Sequence, residues 1–293
     1  MPDPILEAAG LWFWYGDGAP VIRDVNLAVG SGEFVTLLGA NGSGKTTLIK
    51  HFNGLLRPRR GLVRVAGQDA AGRSMGELAR QVGYLFQRPE QQIFSPTVHQ
   101  ELAFGPRNLG LRPAEIDARV EAALLRFRLT TVAGQPPAIL SYGLRRRVTL
   151  ASLAAMDPPV LILDEPTVGL DARGLEETFG WLANLHAQGR TVLLVTHDMS
   201  LAAEHAGRVV VLGQGQVIAD GPPAQLFQRS DLLARAALAP PPITALAQAL
   251  HPHGLRGDSV TVEAFCDEYV ALVQAQSPLG PVSDRARSPR SGI

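Results

Sequence analysis

The sequence predicts an α/β protein in which a largely parallel sheet carries helices on both faces. Three observations predict it. Short apolar runs at 34–38, 160–163, 191–196 and 208–212 read as strands buried on both sides. Helical stretches alternate with the last three of these runs. Glycine-rich or acidic turns close the runs where ligands of open α/β sheets bind. The 293 residues are 46% hydrophobic and 18% charged, enough apolar material for a substantial core. Lys+Arg and Asp+Glu are both 27, so no global charge pulls the chain toward nucleic acid or acidic lipid. The single cysteine, Cys266, excludes an internal disulfide and a cysteine-built zinc site and fits a reducing compartment. No apolar run approaches the roughly 18 residues that cross a bilayer. Residues 1–10 carry Asp3 and Glu7 and lack the pattern of a signal peptide.

Taken in order, residues 5–20 form an aromatic strand with Trp12, Phe13, Trp14 and Tyr15, ending in the turn Gly16-Asp17-Gly18. Strand structure follows at 21–29, and the turn Gly30-Ser31-Gly32 leads to the apolar run 34–38. A glycine-rich loop precedes a helix over 45–52, which stops near Asn53-Gly54. Residues 89–157 are helical in pattern. Pro113 opens a helix that places Ile116, Val120, Leu124 and Phe127 on one face. Strand 160–163, helix 175–188, strand 191–196, helix 199–205 and strand 208–212 follow. Beyond Pro222 the pattern changes: Pro240-Pro241-Pro242 reads as a rigid spacer before two short helices at 243–250 and 261–273. Residues 277–293, rich in Ser, Pro, Gly and Arg, read as disordered.

Gly39-Ala40-Asn41-Gly42-Ser43-Gly44-Lys45-Thr46 fits the phosphate-binding P-loop pattern and lies between a strand and a helix. Glycines let backbone N–H groups turn toward an anion, and the helix start adds its positive dipole end. Lys45 can reach the β- and γ-phosphates, and the Thr46 hydroxyl can ligate Mg²⁺. Only Lys45 and Lys50 are lysine in the chain, which makes a lysine inside this motif stand out. The strand 160–163 ends in Asp164 and Glu165. Successive strand residues point oppositely, so one carboxylate can serve Mg²⁺ while the other orients the attacking water.

These motifs resemble the ATP-binding cassette (ABC) ATPases across residues 5–222. The order is the glycine loop at 39–46, Gln87, Leu140-Ser141-Tyr142-Gly143-Leu144 at the signature position, Asp164-Glu165, Gly169-Leu170-Asp171 and Thr196-His197-Asp198. The resemblance implies the P-loop NTPase ABC fold: a parallel-sheet core, an antiparallel β subdomain and a helical subdomain at 89–157, all within residues 1–221. It implies ATP and Mg²⁺ as ligands. Gly39, Asn41, Gly42, Ser43, Gly44, Lys45, Thr46 and Thr47 would hold the phosphates, and Tyr15 would stack on adenine. Thr46, Gln87 and Asp164 would hold Mg²⁺, with Gln87 also sensing the γ-phosphate. Glu165 would be the catalytic base, and His197 would touch the γ-phosphate. Ser141, Gly143 and Asp171 would complete the ATP site of a second chain, so a dimer, homo- or heteromeric, is expected.

Residue by residue, simpler readings stand beside these. An aromatic strand needs no ligand, so Tyr15 reads equally as core. Arg145, Arg146 and Arg147 read equally as a solvated basic face. They oppose the dipole of the helix that Ser141 is suited to cap and that runs to Met156. His251 and His253 lack the further ligands a metal site needs and read as surface. Tyr142 and Leu144 depart from the family's Leu-Ser-Gly-Gly-Gln. They favour an alternative in which this chain is the weakly hydrolysing member of a pair and ATP mainly drives closure.

Within the ABC group, Gln87-Arg88-Pro89-Glu90-Gln91-Gln92-Ile93-Phe94 and the following residues to Asn108 are similar to the energy-coupling factor importers. Their ATPases carry a Gln-rich helix here that meets a membrane transmitter subunit. Arg88 stands where asparagine is usual. Residues 222–276 are similar to that group's C-terminal extension, a dimerisation element. The resemblance implies an ATPase on the cytoplasmic side of the cell membrane, peripheral and without a span of its own. It would power uptake of a vitamin or a transition-metal ion through separate transmitter and substrate-capture subunits. A soluble ABC protein acting on nucleic acid would call for coiled-coil inserts, zinc cysteines or a basic surface, and the sequence has none.

Overall fold

The structure, a computed structural model, describes residues 4–276, and the stretch expected to be disordered, 277–293, lies outside the described residues. β1 (Pro4–Phe13), β2 (Ile22–Gly30), β4 (Arg60–Val65) and β5 (Gln68–Asp69) form an antiparallel sheet in the order β2-β1-β4-β5. β3 (Phe34–Leu38), buried at all positions, leaves this region for the second sheet and runs through the glycine loop into α1 (Lys45–Phe52). α2 (Met75–Ala79) is fixed by a capping box in which Ser74 and Glu77 satisfy each other's backbone N–H. β6 (Val82–Leu85) then opens a run of three helices: α3 (Val98–Asn108), α4 (Pro113–Arg126) and α5 (Tyr142–Met156).

The chain returns through β7 (Val160–Asp164), α6 (Ala172–Ala187), β8 (Thr191–Val195), α7 (Met199–His205), β9 (Arg208–Gly213) and β10 (Gln216–Gly221). It continues through α8 (Pro223–Leu226), α9 (Ser230–Arg235), α10 (Pro242–Ala249) and α11 (Val262–Gln276). The second sheet has the order β10-β9-β3-β8-β7-β6, parallel from β9 to β6, with β10 antiparallel on its edge. Alternating side chains of the parallel strands feed two cores. Val35, Leu37, Val160, Ile162 and Leu193 pack with α1 and the antiparallel sheet. Phe34, Leu161, Leu163, Val192 and Leu194 pack with α3–α6. This two-sided burial is why the strands read as continuous apolar runs.

Several elements differ from expectation. β5 and β10 follow two-residue loops, Ala66-Gly67 and Gln214-Gly215, in which both residues have positive φ. That is the hairpin geometry matching strand twist, but Ala and Gln are unusual there, so neither hairpin announces itself. The expected Gln-rich helix is a single 3-10 turn, Pro89–Gln91; Pro96 follows, and α3 starts at Val98 with Thr97 as its cap. The proline spacer instead supplies the first residue of α10 at Pro242. Before it, α8 and α9 bring Leu226, Phe227 and Leu233 against Leu38, Val209 and Val211. Among the described residues, no helix is long and apolar enough to cross a membrane.

Candidate active site

Four adjacent parallel strands end on one edge, and the residues just beyond them make the site. β3 delivers the glycine loop, β8 delivers Thr196 and His197, β7 ends at Asp164 with Glu165 next, and β6 leads to Phe86 and Gln87. The resulting cleft of about 230 Å³ is lined by Asn41, Gly42, Gly44, Lys45, Thr46, Thr47, Gln87, Asp164 and Glu165, with Val21 at one side.

The loop requires its glycines. Gly39 has φ +157 and its Cα lies so close to β9 that a Cβ would stand 2.3 Å from the Leu212 carbonyl oxygen. Gly44, at φ +102, caps α1 in a conformation L side chains rarely adopt, and a Cβ there would meet Ile22 at 2.9 Å. Inside the cradle, Ser43 Oγ is buried and has no partner among the described residues. Lys45 Nζ folds back to donate to the Gly39 and Ala40 carbonyls at 2.7 and 3.0 Å. Burial pushes the Lys45 ammonium below its ordinary pKa, and the charges of Glu165 and Asp164 pull it back up. A cation lightly held by carbonyls, an unsatisfied hydroxyl and the start of a helix fit a polyphosphate.

Thr46 Oγ1 donates to Asp164 Oδ2 at 2.8 Å, which puts two hard oxygen ligands side by side with Gln87 on the same cleft. This set fits a small divalent cation. Burial pushes the Asp164 carboxyl up, the Thr46 hydroxyl lowers it, and the neighbouring Glu165 raises it again. Tyr84 on β6 reaches the same Oδ2 at 3.5 Å; burial, then Asp164, raises its pKa, so it stays a protonated donor.

Glu165 is buried and has φ +50, uncommon for a residue with a Cβ. Its N–H donates to the Val195 carbonyl at 2.9 Å. One carboxylate oxygen sits 2.8 Å from His197 Nδ1, and the other accepts from Thr196 Oγ1 at 3.3 Å. His197 has a side chain that is 65% exposed and is not among the residues that line the cleft. Tyr15 is not core: it is 51% exposed, packs edge-on against Phe13, and shares a 3.1 Å hydrogen bond with the Thr47 hydroxyl.

Ser141, Gly143 and Asp171 are not in this cleft. With Leu144, Arg147, Gly169 and Leu170 they line a second depression of about 380 Å³. Ser141 Oγ caps α5 by accepting from Leu144 N, and Asp171 caps α6 by accepting from Gly174 N. That backbone bond, then Arg147, holds the Asp171 carboxyl below the usual range. The arginines do not form a solvated face. Arg145 reaches Glu90, Arg147 reaches Asp171, and Arg146 is 0% exposed. The sequence reading missed Arg146 and Tyr84; the only available signals were an arginine one turn into the signature helix and a tyrosine in a buried strand. His251 Nδ1 donates to the Leu255 carbonyl at 2.8 Å, and among the described residues no cluster of His, Cys, Asp and Glu could hold a metal.

The sequence model of a family described as ABC transporter matches residues 22–168. Over 261 residues the chain is 39% identical to the energy-coupling factor transporter ATP-binding protein EcfA of Methanocaldococcus jannaschii, covering 88% of this chain and 92% of that one. CbiO1 from Clostridium perfringens, described as part of the ABC transporter complex CbiONQ, is similar with a TM-score of 0.68 at 34% identity, over 80% of this chain and 94% of that one. An ATP-binding cassette solved as a dimer in a post-hydrolysis state with ADP and Pi is similar with a TM-score of 0.67 at 26% identity, over 74% of this chain and 98% of that one. The glycine cradle, the acidic strand end and the detached capping shelf thus stand in a chain that belongs to the ABC transporter ATPases, in their energy-coupling factor branch.

Proposed function

We propose that this chain hydrolyses ATP to power uptake of a small micronutrient, a vitamin or a transition-metal ion, through separate membrane subunits. It would act as one half of an ATPase pair on the cytoplasmic face. The observation that carries the reading is the division of the site. The cleft at the sheet edge holds the phosphate cradle, Asp164, Glu165 and Gln87, whereas Ser141, Gly143 and Asp171 form a separate shelf. A cradle in one chain and a shelf in another would enclose one ATP, and the dimeric relative solved with ADP and Pi supports that arrangement.

The roles follow from geometry. Lys45 would leave the Gly39 and Ala40 carbonyls for the β- and γ-phosphates, and Ser43 Oγ would gain a phosphate partner. Thr46, Asp164 and Gln87 would hold Mg²⁺, which when bound neutralises charge on the β- and γ-phosphates. Glu165 would orient a water and take its proton as the water oxygen attacks Pγ, while the bond from Pγ to the bridging oxygen breaks and ADP leaves. His197, fixed by Glu165, would donate to a γ-phosphate oxygen. Tyr15, exposed and tethered to Thr47, would stack on adenine.

Glu165→Gln tests the reading. MgATP affinity should survive, and steady-state turnover should fall by about 10²- to 10⁴-fold. Turnover equal to wild type, or a wild type already as inactive as the variant, contradicts it and in the second case favours the weakly hydrolysing partner. For the membrane partner, the supporting feature is a groove of about 470 Å³ beside Phe94, Pro96 and Pro137. Phe94 and Phe104 stand exposed and edge-on at 4.6 Å there. Phe94→Asp should abolish co-purification with membrane subunits while the free chain keeps its ATPase; retained co-purification rejects that surface.

A further inference from the structure

The start of α5 carries three successive arginines, and each reaches a different part of the chain: Arg145 the groove beside Phe94, Arg146 the backbone of the cleft and Arg147 the capping shelf. Arg145 pairs with Glu90 at 3.1 Å, beyond Gln87, and Arg147 with Asp171 at 3.1 Å. Arg146 between them is the most consequential. Its guanidinium is fully buried and donates from Nη1 to the Phe86 carbonyl at 2.7 Å, and from Nη2 to the Gln87 carbonyl at 2.5 Å and the Glu165 carbonyl at 2.9 Å. Among the described residues no carboxylate is hydrogen-bonded to it; its hydrogen bonds all go to backbone oxygens, with the charges of Asp164, Glu90 and Glu165 nearby, and its Nε has no partner. Burying a guanidinium on these terms is costly unless the position does something an apolar side chain could not.

What it holds explains the cost. Glu165 has φ +50, a conformation that persists only when its surroundings impose it. Its N–H is held by the Val195 carbonyl and its own carbonyl by Arg146. The same planar fork fixes the backbone of Gln87, which follows the neighbouring strand β6. A lysine ammonium, without the fork, could not bridge the two loops in the same plane. Meanwhile the first turn of α5 is packed onto the Gly169 loop. Tyr142 lies so close that a Cβ on Gly169 would meet its ring at 2.3 Å, and a Cβ on Gly143 would meet the Gly169 carbonyl at 2.9 Å.

We propose that Arg146 is a positioning residue that fixes Glu165 and Gln87 to the signature helix. Closure of α5 onto a partner's nucleotide then sets the hydrolytic corner of the chain's own site. The proposal rests on the two-chain ATPase reading above. Tyr142 and Gly169 make the far end of the same rigid link, so the departure from a double-glycine signature stiffens the connection between shelf and corner.

The test compares wild type, Arg146→Lys and Arg146→Ala as full-length chains. Affinity for a fluorescent ATP analogue, kcat and KM for MgATP, and amide exchange at residues 85–88 and 164–167 are measured for each. The proposal expects analogue affinity and KM within about twofold of wild type in both variants. It expects kcat lowered about 10- to 100-fold, as for a displaced catalytic group. Exchange should be faster at both segments, and millimolar guanidinium should restore part of the kcat of Arg146→Ala but not of Glu165→Gln. Unchanged kcat, turnover and affinity lost in step, or variants that do not fold would make Arg146 a framework residue and overturn the proposal. If wild type binds nucleotide but does not turn over, the ATPase reading fails separately. The exchange rates then decide the link: unaltered exchange in Arg146→Ala rejects it.

Discussion

At the scale of single residues, the site is a set of polar groups either held by the chain's own carbonyls or left without a partner until a phosphate arrives. Lys45 on two carbonyls and Ser43 Oγ without a partner are both poised to gain from an anion, so Lys45→Ala should remove nucleotide binding rather than only slow turnover. A second residue ties the site's frame to pH. His51, on the buried side of α1, donates from Nδ1 to the Thr47 carbonyl at 2.8 Å, packs edge-on against Phe13 and leaves Nε2 buried with no partner among the described residues. Burial pushes its pKa below the ordinary value of 6.5. The unfolded chain therefore takes up the proton first, and the stability contributed by neutral His51 is full above about pH 6.5 and lost as pH falls through the depressed folded value. Melting temperature should fall between pH 7 and 5, and less steeply in His51→Phe. Equal slopes would show that His51 is not a source; His205, also depressed by burial, adds a slope of the same sign.

At the scale of elements, the loop before α6 and the start of α5 behave as one joint. Gly169 has φ +82 and no room for a Cβ beneath Tyr142. Gly169→Ala should destabilise the chain by about 1–3 kcal/mol in urea unfolding, part from the backbone and part from the ring. Adding Tyr142→Gly should recover the second part; a double variant no more stable than Gly169→Ala would show that the ring is not the obstacle. The elements differ in how openly the sequence declares them. The parallel strands β3, β7, β8 and β9 were legible because burial on both faces makes them largely apolar, and α1 because a glycine loop and Asn53-Gly54 bracket it. β10 was not, since it is an edge strand, half-exposed, reached through Gln214-Gly215. α8 and α9 are too short for a helical period to show. Arg146 was illegible for a different reason. A run of charge signals solvent, and only the tertiary fold supplies the three carbonyls that let one of its members go inside.

At the scale of the whole molecule, the chain carries the two surfaces proposed to enclose ATP, the cleft and the shelf, apart from each other. The cradle, the cleft carboxylates and Gln87 were legible because motif order brings them to the ends of neighbouring strands. That Ser141 and Asp171 would stand apart follows from α5 and α6 capping onto their own shelf. The account therefore turns on a second chain closing over bound nucleotide. The most direct measurement is sedimentation velocity of Glu165→Gln with and without MgATP, since slow turnover should hold the closed state. The account predicts a dimer with MgATP that reverts when Mg²⁺ is chelated and that never forms when Lys45→Ala is added. A chain that saturates with MgATP yet sediments as a monomer would contradict it.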